Sequence, residues 1–130
     1  MNQKLIDKAI EAKQCAYAPY SAFRVGAALL DDKGDIYTGC NVENASYGAT
    51  ICAERTAAVK AISEGSTSFT AIAIATDAKG YTPPCGICRQ FLSEFAADEM
   101  DIYLIKGDDN VMITRLKELF PSGFTKEDLI

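Results

Sequence analysis

The chain has 130 residues, of which 48% are hydrophobic and 24% charged, with a formal net charge of −5 and no histidine. This length and balance predict one folded domain over residues 1–130, and no apolar run approaches the ~18 residues of a membrane span. The negative charge disfavours nucleic acid as a partner. The polar N-terminus is unlike a signal peptide, so we expect a cytoplasmic protein that binds no membrane.

Hydrophobic spacing and turn residues predict helices and strands along the whole chain. The predicted helices cover 3–17, 52–63, 85–97 and 115–119, and the predicted strands 24–30, 35–40, 69–76, 101–105 and 111–113. We expect the apolar strand at 69–76 to be covered on both faces. This order of elements predicts an α/β fold, a three-layer α/β/α sandwich on a mixed sheet of about five strands.

Three of the five cysteines stand at the predicted starts of two helices. Cys52 opens one helix, whereas Cys85 and Cys88 occupy the first turn of another, where i,i+3 spacing lets both sulfurs face one point. Helix N-termini favour the thiolate, which is the form that binds metal. Three protein ligands are typical of catalytic zinc, which keeps its fourth position open. We therefore predict one zinc ion held by Cys52, Cys85 and Cys88.

Other uses of the cysteines stay open at this point. Five is an odd number, so complete pairing is excluded, but a partial disulfide framework is not. A Cys-x-x-Cys pair also occurs in redox dithiols, although that use would leave Cys52 without a role. A closed structural zinc site would need Cys15 or Cys40 as its fourth ligand, and neither has the expected spacing. We expect both to be small buried hydrophobic residues.

The two residues after Ala53 carry the remaining chemistry of this segment. Without histidine, a carboxylate is the best candidate for acid–base work, and beside zinc in a dry pocket we expect the pKa of Glu54 to lie near the working pH. Three thiolates leave a zinc site negatively charged, and the Arg55 guanidinium can offset that charge by donating to two sulfurs. Arg89, which follows Cys88, is the second candidate. The alternatives are a solvated glutamate and arginines in surface salt bridges.

The Cys-Ala-Glu and Pro-Cys-x-x-Cys motifs together resemble the zinc deaminase signature in its three-cysteine form. Over almost its whole length the chain is similar to the small homotetrameric cytidine deaminases. The segments that carry the resemblance are residues 19–29, 39–48, 52–57, 83–90 and 119–124. Several separate motifs in one order make this a specific resemblance.

The resemblance implies hydrolysis of cytidine and 2′-deoxycytidine to the uridines with release of ammonia, in pyrimidine salvage. It implies one zinc ion per chain on the three cysteines, with Glu54 moving protons between water, ring N3 and the exocyclic amine. The substrate-binding residues that it implies are Phe23, Asn41, Glu43, Ala45, Tyr47, Ala53 and Phe124. It also implies a homotetramer whose active sites are completed across subunits by Ala45, Tyr47 and Phe124.

The sequence also allows other roles for some of these residues. Asn41 and Glu43 alternate along an extended segment, so we expect both to face one side, where they suit sugar hydroxyls; a capped turn with a solvated acid is the alternative. Phe23 could stack on the pyrimidine or pack in the core. The small residues of the second helix would allow close approach of a neighbouring subunit, or would simply favour a helix. They are Ala57, Ala58 and Ala61.

Three rival functions are consistent with the same motifs. One is deamination of a nucleoside-like antibiotic of the blasticidin type, which the Asn41 and Glu43 pair disfavours. Another is deamination of a base in a polynucleotide, which the acidic charge disfavours. The third is a non-catalytic, zinc-stabilised interaction domain. Zinc content does not separate that domain from an enzyme, but ammonia release from cytidine does.

Overall fold

A computed structural model describes residues 1–129 of the chain. The strands are β1 (Val25–Asp31), β2 (Ile36–Cys40), β3 (Phe69–Thr76), β4 (Ala96–Ile105) and β5 (Val111–Arg115). They form one sheet in the order β2-β1-β3-β4-β5. β3 and β4 are parallel, and the other three pairings are antiparallel. The prediction of a mixed sheet of about five strands is confirmed.

Helices cover both faces of this sheet. They are α1 (Gln3–Lys13), α2 (Ala53–Ser63), α3 (Gly86–Ser93) and α4 (Leu116–Leu119). α1 packs on one face through Leu5, Ile6 and Ala9. α2, α3 and α4 contribute to the core on the opposite face. The three-layer α/β/α arrangement is therefore confirmed, and none of the helices in the described part of the chain has the length and hydropathy needed to span a bilayer.

The central strand β3 separates the two halves of the core. Its alanines at 71, 73 and 75 face α1, while Ile72 and Ile74 pack with residues of α2 and α3. Apart from Thr70, every residue of the strand is buried. The prediction that this strand is covered on both faces is confirmed. Its C-terminal end at Thr76 leads into the loop that carries Cys85.

The backbone of α2 lies directly against strand β2. A Cβ atom on Gly39 would lie 2.5 Å from Ala57 N and 2.7 Å from Ala53 O, so only glycine fits at this contact. Ala57, Ala58 and Ala61 are fully buried within this chain's own core. These small residues therefore give no support for packing against another subunit. Their contact holds the start of α2, where Cys52 lies, against the sheet.

Two predicted helices extend too far, because strand pairing claims their last residues. α1 ends at Lys13 rather than 17, since Tyr17 forms a β-bridge with Val42 and must be extended. α3 ends at Ser93 rather than 97, since Ala96 pairs with Phe69 of β3 and begins β4. β4 consequently starts earlier than the predicted strand at 101–105. Long-range hydrogen bonds override local helix propensity at both places.

Candidate metal centre

The N-termini of α2 and α3 meet at a cluster of three sulfurs. Cys52 is the N-cap of α2, Cys85 is the N-cap of α3, and Cys88 lies in the first turn of α3. Neither N-cap side chain makes a capping hydrogen bond to the backbone of its own helix, so both sulfurs can bind a ligand. All three sulfurs lie within 4.8 Å of one another, and Cys52 Sγ is 4.0 Å from Cys85 Sγ.

This cluster fits a zinc ion. Tetrahedral zinc with Zn–S bonds of about 2.3 Å places its sulfurs about 3.8 Å apart, close to the measured spacing. Neither Cys15 nor Cys40 belongs to the cluster, so the alternative of a fourth cysteine ligand is wrong. Within residues 1–129 no other group of three or more cysteine, aspartate or glutamate side chains converges in this way.

Cys15 and Cys40 instead contact each other at the end of α1. The Cys40 thiol donates to the carbonyl of Cys15 over 3.4 Å. The prediction that both are small buried hydrophobic residues is wrong for Cys15, which is exposed, and Cys40 is only partly buried. The reason is the early end of α1, which leaves Cys15 in the turn after the helix and outside the core.

The protein environment favours a thiolate at Cys52. Interaction with the Cys88 thiol, together with the Arg55 guanidinium, lowers the pKa of Cys52 to about 5, although burial opposes this shift. The pKa of Cys88 is raised, because its thiol donates to Cys52 and because it is buried. One sulfur of the cluster is thus prepared as an anion by its neighbours, and soft metal ions bind such thiolates.

Arg55 is oriented toward the sulfurs rather than toward solvent. Its Nη2 donates to Cys52 Sγ over 3.6 Å. Within the described residues it forms no ion pair with a carboxylate, which contradicts the alternative that Arg55 forms a surface salt bridge. Among the same residues, Arg55 Nε is the only fully buried side-chain nitrogen or oxygen without a hydrogen-bond partner. A partly buried positive group beside three sulfurs suits a site that carries net negative charge.

Glu54 is buried beside the cluster, with 5% of its surface exposed. The alternative that Glu54 is a solvated surface residue is therefore wrong. Burial raises the pKa of Glu54 to about 7, and the nearby charge of Cys52 acts in the same direction. A carboxyl group that titrates near neutral pH can both accept and donate a proton during turnover.

A cavity of about 220 Å³ opens onto this group. Glu54, Cys52 and Cys85 form its chemically active wall, and Ala53 also lines it. The remaining lining residues are Phe23, Val25, Asn41, Thr50, Ile74, Thr76, Thr82 and Pro83. Phe23 is 37% exposed, so it contributes to this cavity rather than to the core. The structure thus brings Phe23, Asn41 and Ala53 together with the metal cluster.

Asn41 and Glu43 line two neighbouring cavities rather than one. The Asn41 side chain accepts from Val25 N over 2.9 Å and donates to Phe23 O over 2.8 Å. Glu43 lies in a second cavity, of about 390 Å³, that shares Thr50 with the first. The expectation that both side chains face one side is therefore only partly met, because they line two adjoining cavities that share Thr50. Asn41 chiefly holds the start of β1 in position.

Glu43 makes its own set of hydrogen bonds in the larger cavity. Its carboxylate accepts from Tyr20 N over 3.0 Å and Ser21 N over 3.1 Å, and also from the Ser21 hydroxyl. These bonds, with that of the Ser21 hydroxyl foremost, hold the pKa of Glu43 below its usual range. Glu43 is therefore an oriented anion, and it retains lone pairs for a ligand.

The residues implied to act across subunits lie apart from the metal cluster. Tyr47 is 80% exposed and lines the larger cavity, and Ala45 is exposed nearby in sequence. Phe124 is exposed and lines a separate cavity of about 90 Å³, where its carbonyl accepts from Gln90 Nε2. The structure does not bring Phe124 to either of the two cavities beside the cluster.

Several lining residues were not singled out from the sequence. Thr50 lines both cavities, and Thr82 and Pro83 line the smaller one just ahead of Cys85. Tyr20 and Ser21, like Pro83, were noted only as part of a motif, but the backbone N–H groups of Tyr20 and Ser21 bind Glu43. The available signal was proximity in the chain to the motif residues, since neither residue type nor spacing marks these positions.

Three clustered thiols, an adjacent buried carboxyl group and a small cavity define a zinc-dependent hydrolase site on an α/β/α sandwich. Comparison with known proteins agrees. The family described as "Cytidine and deoxycytidylate deaminase zinc-binding region" matches residues 1–104. The chain belongs to this family, and its cofactor is zinc.

Relatives and solved structures extend the similarity over almost the whole chain. A cytidine deaminase from Sporosarcina psychrophila is 48% identical over 127 residues, which cover 98% of this chain and 93% of the relative. The crystal structure of cytidine deaminase from Burkholderia pseudomallei matches with a TM-score of 0.91 at 42% identity, covering 95% of this chain and 99% of that one. The cytidine deaminase structure from Mycobacterium tuberculosis matches with a TM-score of 0.82 at 42% identity, covering 94% and 95%.

Proposed function

We propose that the protein hydrolyses cytidine and 2′-deoxycytidine to uridine and 2′-deoxyuridine, releasing ammonia, as a step of pyrimidine salvage. The observation that carries the proposal is the placement of Glu54 and two cysteines of the cluster, Cys52 and Cys85, in the wall of one cavity of about 220 Å³. The full-length similarity to proteins named cytidine deaminase supports the choice of substrate.

Cys52, Cys85 and Cys88 would hold the zinc ion, which when bound supplies a Lewis acid that activates water for attack on C4 of the base. Arg55 offsets the negative charge of the three sulfurs through its contact with Cys52. With that charge partly neutralised, the site can stabilise the further negative charge that develops during attack.

Glu54 moves the protons of the reaction. Its carboxylate accepts one proton from the attacking water and delivers it to ring N3, then accepts the proton of the hydroxyl now on C4 and delivers it to the exocyclic amine, which leaves as ammonia. Protonation of N3 makes C4 electrophilic, and protonation of the amine makes it a leaving group. Burial supports this role because it raises the pKa of Glu54 to about 7, near the pH of turnover.

The two cavities suit the two parts of a nucleoside. The smaller one has apolar walls at Val25 and Ile74 and an aromatic ring at Phe23, which suit a stacked pyrimidine. Ala53 offers its backbone at the reacting centre. The larger, more open cavity holds Glu43, whose carboxylate suits sugar hydroxyls, and Asn41 holds the backbone of Phe23 and Val25 in the wall of the smaller one.

The proposal extends to assembly and location. We expect a homotetramer in which Ala45, Tyr47 and Phe124 of neighbouring subunits complete each site, and the exposure of Tyr47 and Phe124 supports this. We further propose that residues 1–130 act as a single domain in the cytoplasm, without nucleic acid or membrane partners. The net charge of −5 supports the last two points.

Loss of cytidine absorbance, together with ammonia release, tests the proposal directly. Purified protein should contain about one zinc ion per chain and lose activity in a chelator. Glu54→Gln should retain zinc but lose about 10² to 10⁴ in turnover. Glu64→Gln, at the exposed far end of α2, is the matched control and should behave like the parent.

The outcomes separate the rival functions. Zinc binding without ammonia release from any nucleoside would support a zinc-stabilised interaction domain. Activity on a blasticidin-type nucleoside alone, or on a polynucleotide alone, would support the corresponding rival deaminase. Undiminished turnover in Glu54→Gln would remove Glu54 from the mechanism.

A further inference from the structure

Arg89 directly follows a zinc ligand, yet its side chain is directed at backbone carbonyls. Its Nε donates to Pro84 O over 2.7 Å, and its Nη1 donates to Leu119 O over 2.5 Å. Within the described residues it forms no hydrogen bond to sulfur and no ion pair with a carboxylate. Arg89 therefore does not offset the charge of the sulfurs by direct contact, as Arg55 does.

The first of these bonds holds the peptide just before a ligand. Pro84 is buried, and its carbonyl belongs to the peptide that joins it to Cys85. Cys85 is an extended N-cap that makes no side-chain capping bond, because its sulfur is directed at the metal cluster. An ordinary N-cap side chain would fix the entry into the helix. At the start of α3, the hydrogen bond from Arg89 Nε to Pro84 O restrains the Pro84–Cys85 peptide instead.

The second bond ties the same arginine to a different element. Leu119 is the last residue of α4, and its carbonyl lies at the helix end, where backbone acceptors need outside partners. α4 is anchored in the core by the buried Leu116. The neighbouring Gln90 makes a similar contact, donating to Phe124 O over 2.9 Å. The N-terminal half of α3 is thus held against the end of α4 and the chain segment that follows it.

We propose that Arg89 is a positioning residue that sets the direction of the Cys85 sulfur by clamping the Pro84–Cys85 peptide to the end of α4. The planar fork of arginine donates in two directions at once, whereas the single ammonium group of lysine cannot reproduce that geometry. The role depends on shape rather than on charge. The inference rests on the proposed function in that it takes the three sulfurs as the zinc site.

Release of zinc to an excess of a chromophoric chelator under native conditions measures this role without relying on activity. Arg89→Lys and Arg89→Gln should both release zinc about tenfold faster than the parent, as do substitutions of other groups that orient metal ligands. Arg115→Lys and Arg115→Gln are the matched controls, because Arg115 is exposed and, among residues 1–129, pairs only with Asp101 on β4. Both controls should release zinc at the parent rate.

Two further readouts distinguish positioning from general stability. The ligand-field bands of the cobalt-substituted protein should shift in Arg89→Lys but not in Arg115→Lys. The kcat for cytidine should fall in Arg89→Lys, while its KM stays within about twofold. A lower unfolding temperature with unchanged cobalt bands would assign Arg89 to the fold alone and overturn the proposal, as would failure of Arg89→Lys to fold.

The remaining outcomes are also decisive. Parent-like zinc release in Arg89→Lys would show that the guanidinium geometry is not needed and would overturn the proposed clamp, leaving the proposed function intact. A parent protein that binds no zinc would overturn the proposed function together with this inference. The parent is measured first, so the two failures are distinguishable.

Discussion

Arg55 and Cys52 are joined by a hydrogen bond of 3.6 Å from guanidinium Nη2 to Sγ, within the first turn of α2. The contact places a permanent positive charge beside the sulfur that the protein most favours as an anion. Cys52 has a pKa lowered to about 5, to which the Cys88 thiol contributes most and Arg55 adds. The positive charge that offsets the sulfurs is therefore supplied by the same helix turn that follows Cys52.

Replacing Arg55 should weaken activity in a pH-dependent way. In Arg55→Gln the three sulfurs lose their nearest positive charge, so removal of a proton from the attacking water becomes harder. We expect about tenfold lower kcat/KM at pH 7, with the acidic limb of the profile moved to higher pH. A pH–rate series checks this, with Arg115→Gln as the control for loss of an exposed charge. Superimposable profiles would show that charge tuning is unnecessary.

Glu43→Gln should impair binding of nucleosides but not of the free base. Glutamine can keep the contacts to Tyr20 N and Ser21 N but lacks the charge that suits sugar hydroxyls. We expect KM for cytidine to rise about 10- to 100-fold, as for loss of a charged hydrogen bond, while cytosine stays an equally poor substrate. Steady-state kinetics on both substrates measure this.

Ser21→Ala is the control for that experiment, because it removes the hydroxyl contact to Glu43 and leaves the carboxylate in place. A rise in KM of the same size in Ser21→Ala would indicate that Glu43 only holds the turn at 20–21. Equal losses for cytidine and cytosine would place Glu43 away from the sugar.

Lys13 and Arg24 both pair with Asp77, so the two ion pairs test how burial changes the contribution of an ion pair to stability. Lys13 Nζ lies 3.0 Å from Asp77 Oδ1 with 7% of its side chain exposed, whereas Arg24 Nε lies 2.9 Å from Asp77 Oδ2 with 40% exposed. Lys13→Met should lower the free energy of unfolding by about 1–3 kcal/mol. Arg24→Met should cost less than about 1 kcal/mol, because solvent screens the exposed pair. Urea unfolding measures both, and equal costs would contradict the argument.

Asp31 should make the fold sensitive to acid. It is 2% exposed, and although burial opposes its ionisation, bonds from the Ser66 hydroxyl, Asp35 N and Lys33 N hold its pKa below the usual range. A depressed carboxyl pKa contributes stability that is complete above the unfolded value of about 3.9 and is lost as the pH falls through the folded value. Asp31→Asn should therefore be less stable at neutral pH and lose less stability below about pH 4.

Urea midpoints between neutral pH and pH 3 check this expectation. Asp32→Asn, in the exposed part of the same turn, is the matched control and should retain the acid sensitivity of the parent. An equally steep acid loss in Asp31→Asn would assign the effect to other carboxyl groups.

Much of the site could be predicted because it is encoded locally. Cys52 at one helix start, and Cys85 and Cys88 at another, follow from capping position and i,i+3 spacing, and the structure brings all three together. The limits of β3 were also predictable, since a run of small and β-branched apolar residues bounded by polar ones has few other uses. Helix ends were predicted less well, because strand pairing takes Tyr17 and Ala96 out of helices.

By itself the sequence determined the candidate ligand set, the kinds of elements and their order, because caps, turns and hydrophobic periods depend on neighbouring residues. Only the tertiary structure decided that Glu54 is buried, that Cys15 is exposed, and that Asn41 and Glu43 line different cavities. It also decided that Arg89 binds Pro84 and Leu119 rather than sulfur. Burial and hydrogen-bond partners are set by segments far apart in the chain, and no local pattern records which segments will meet.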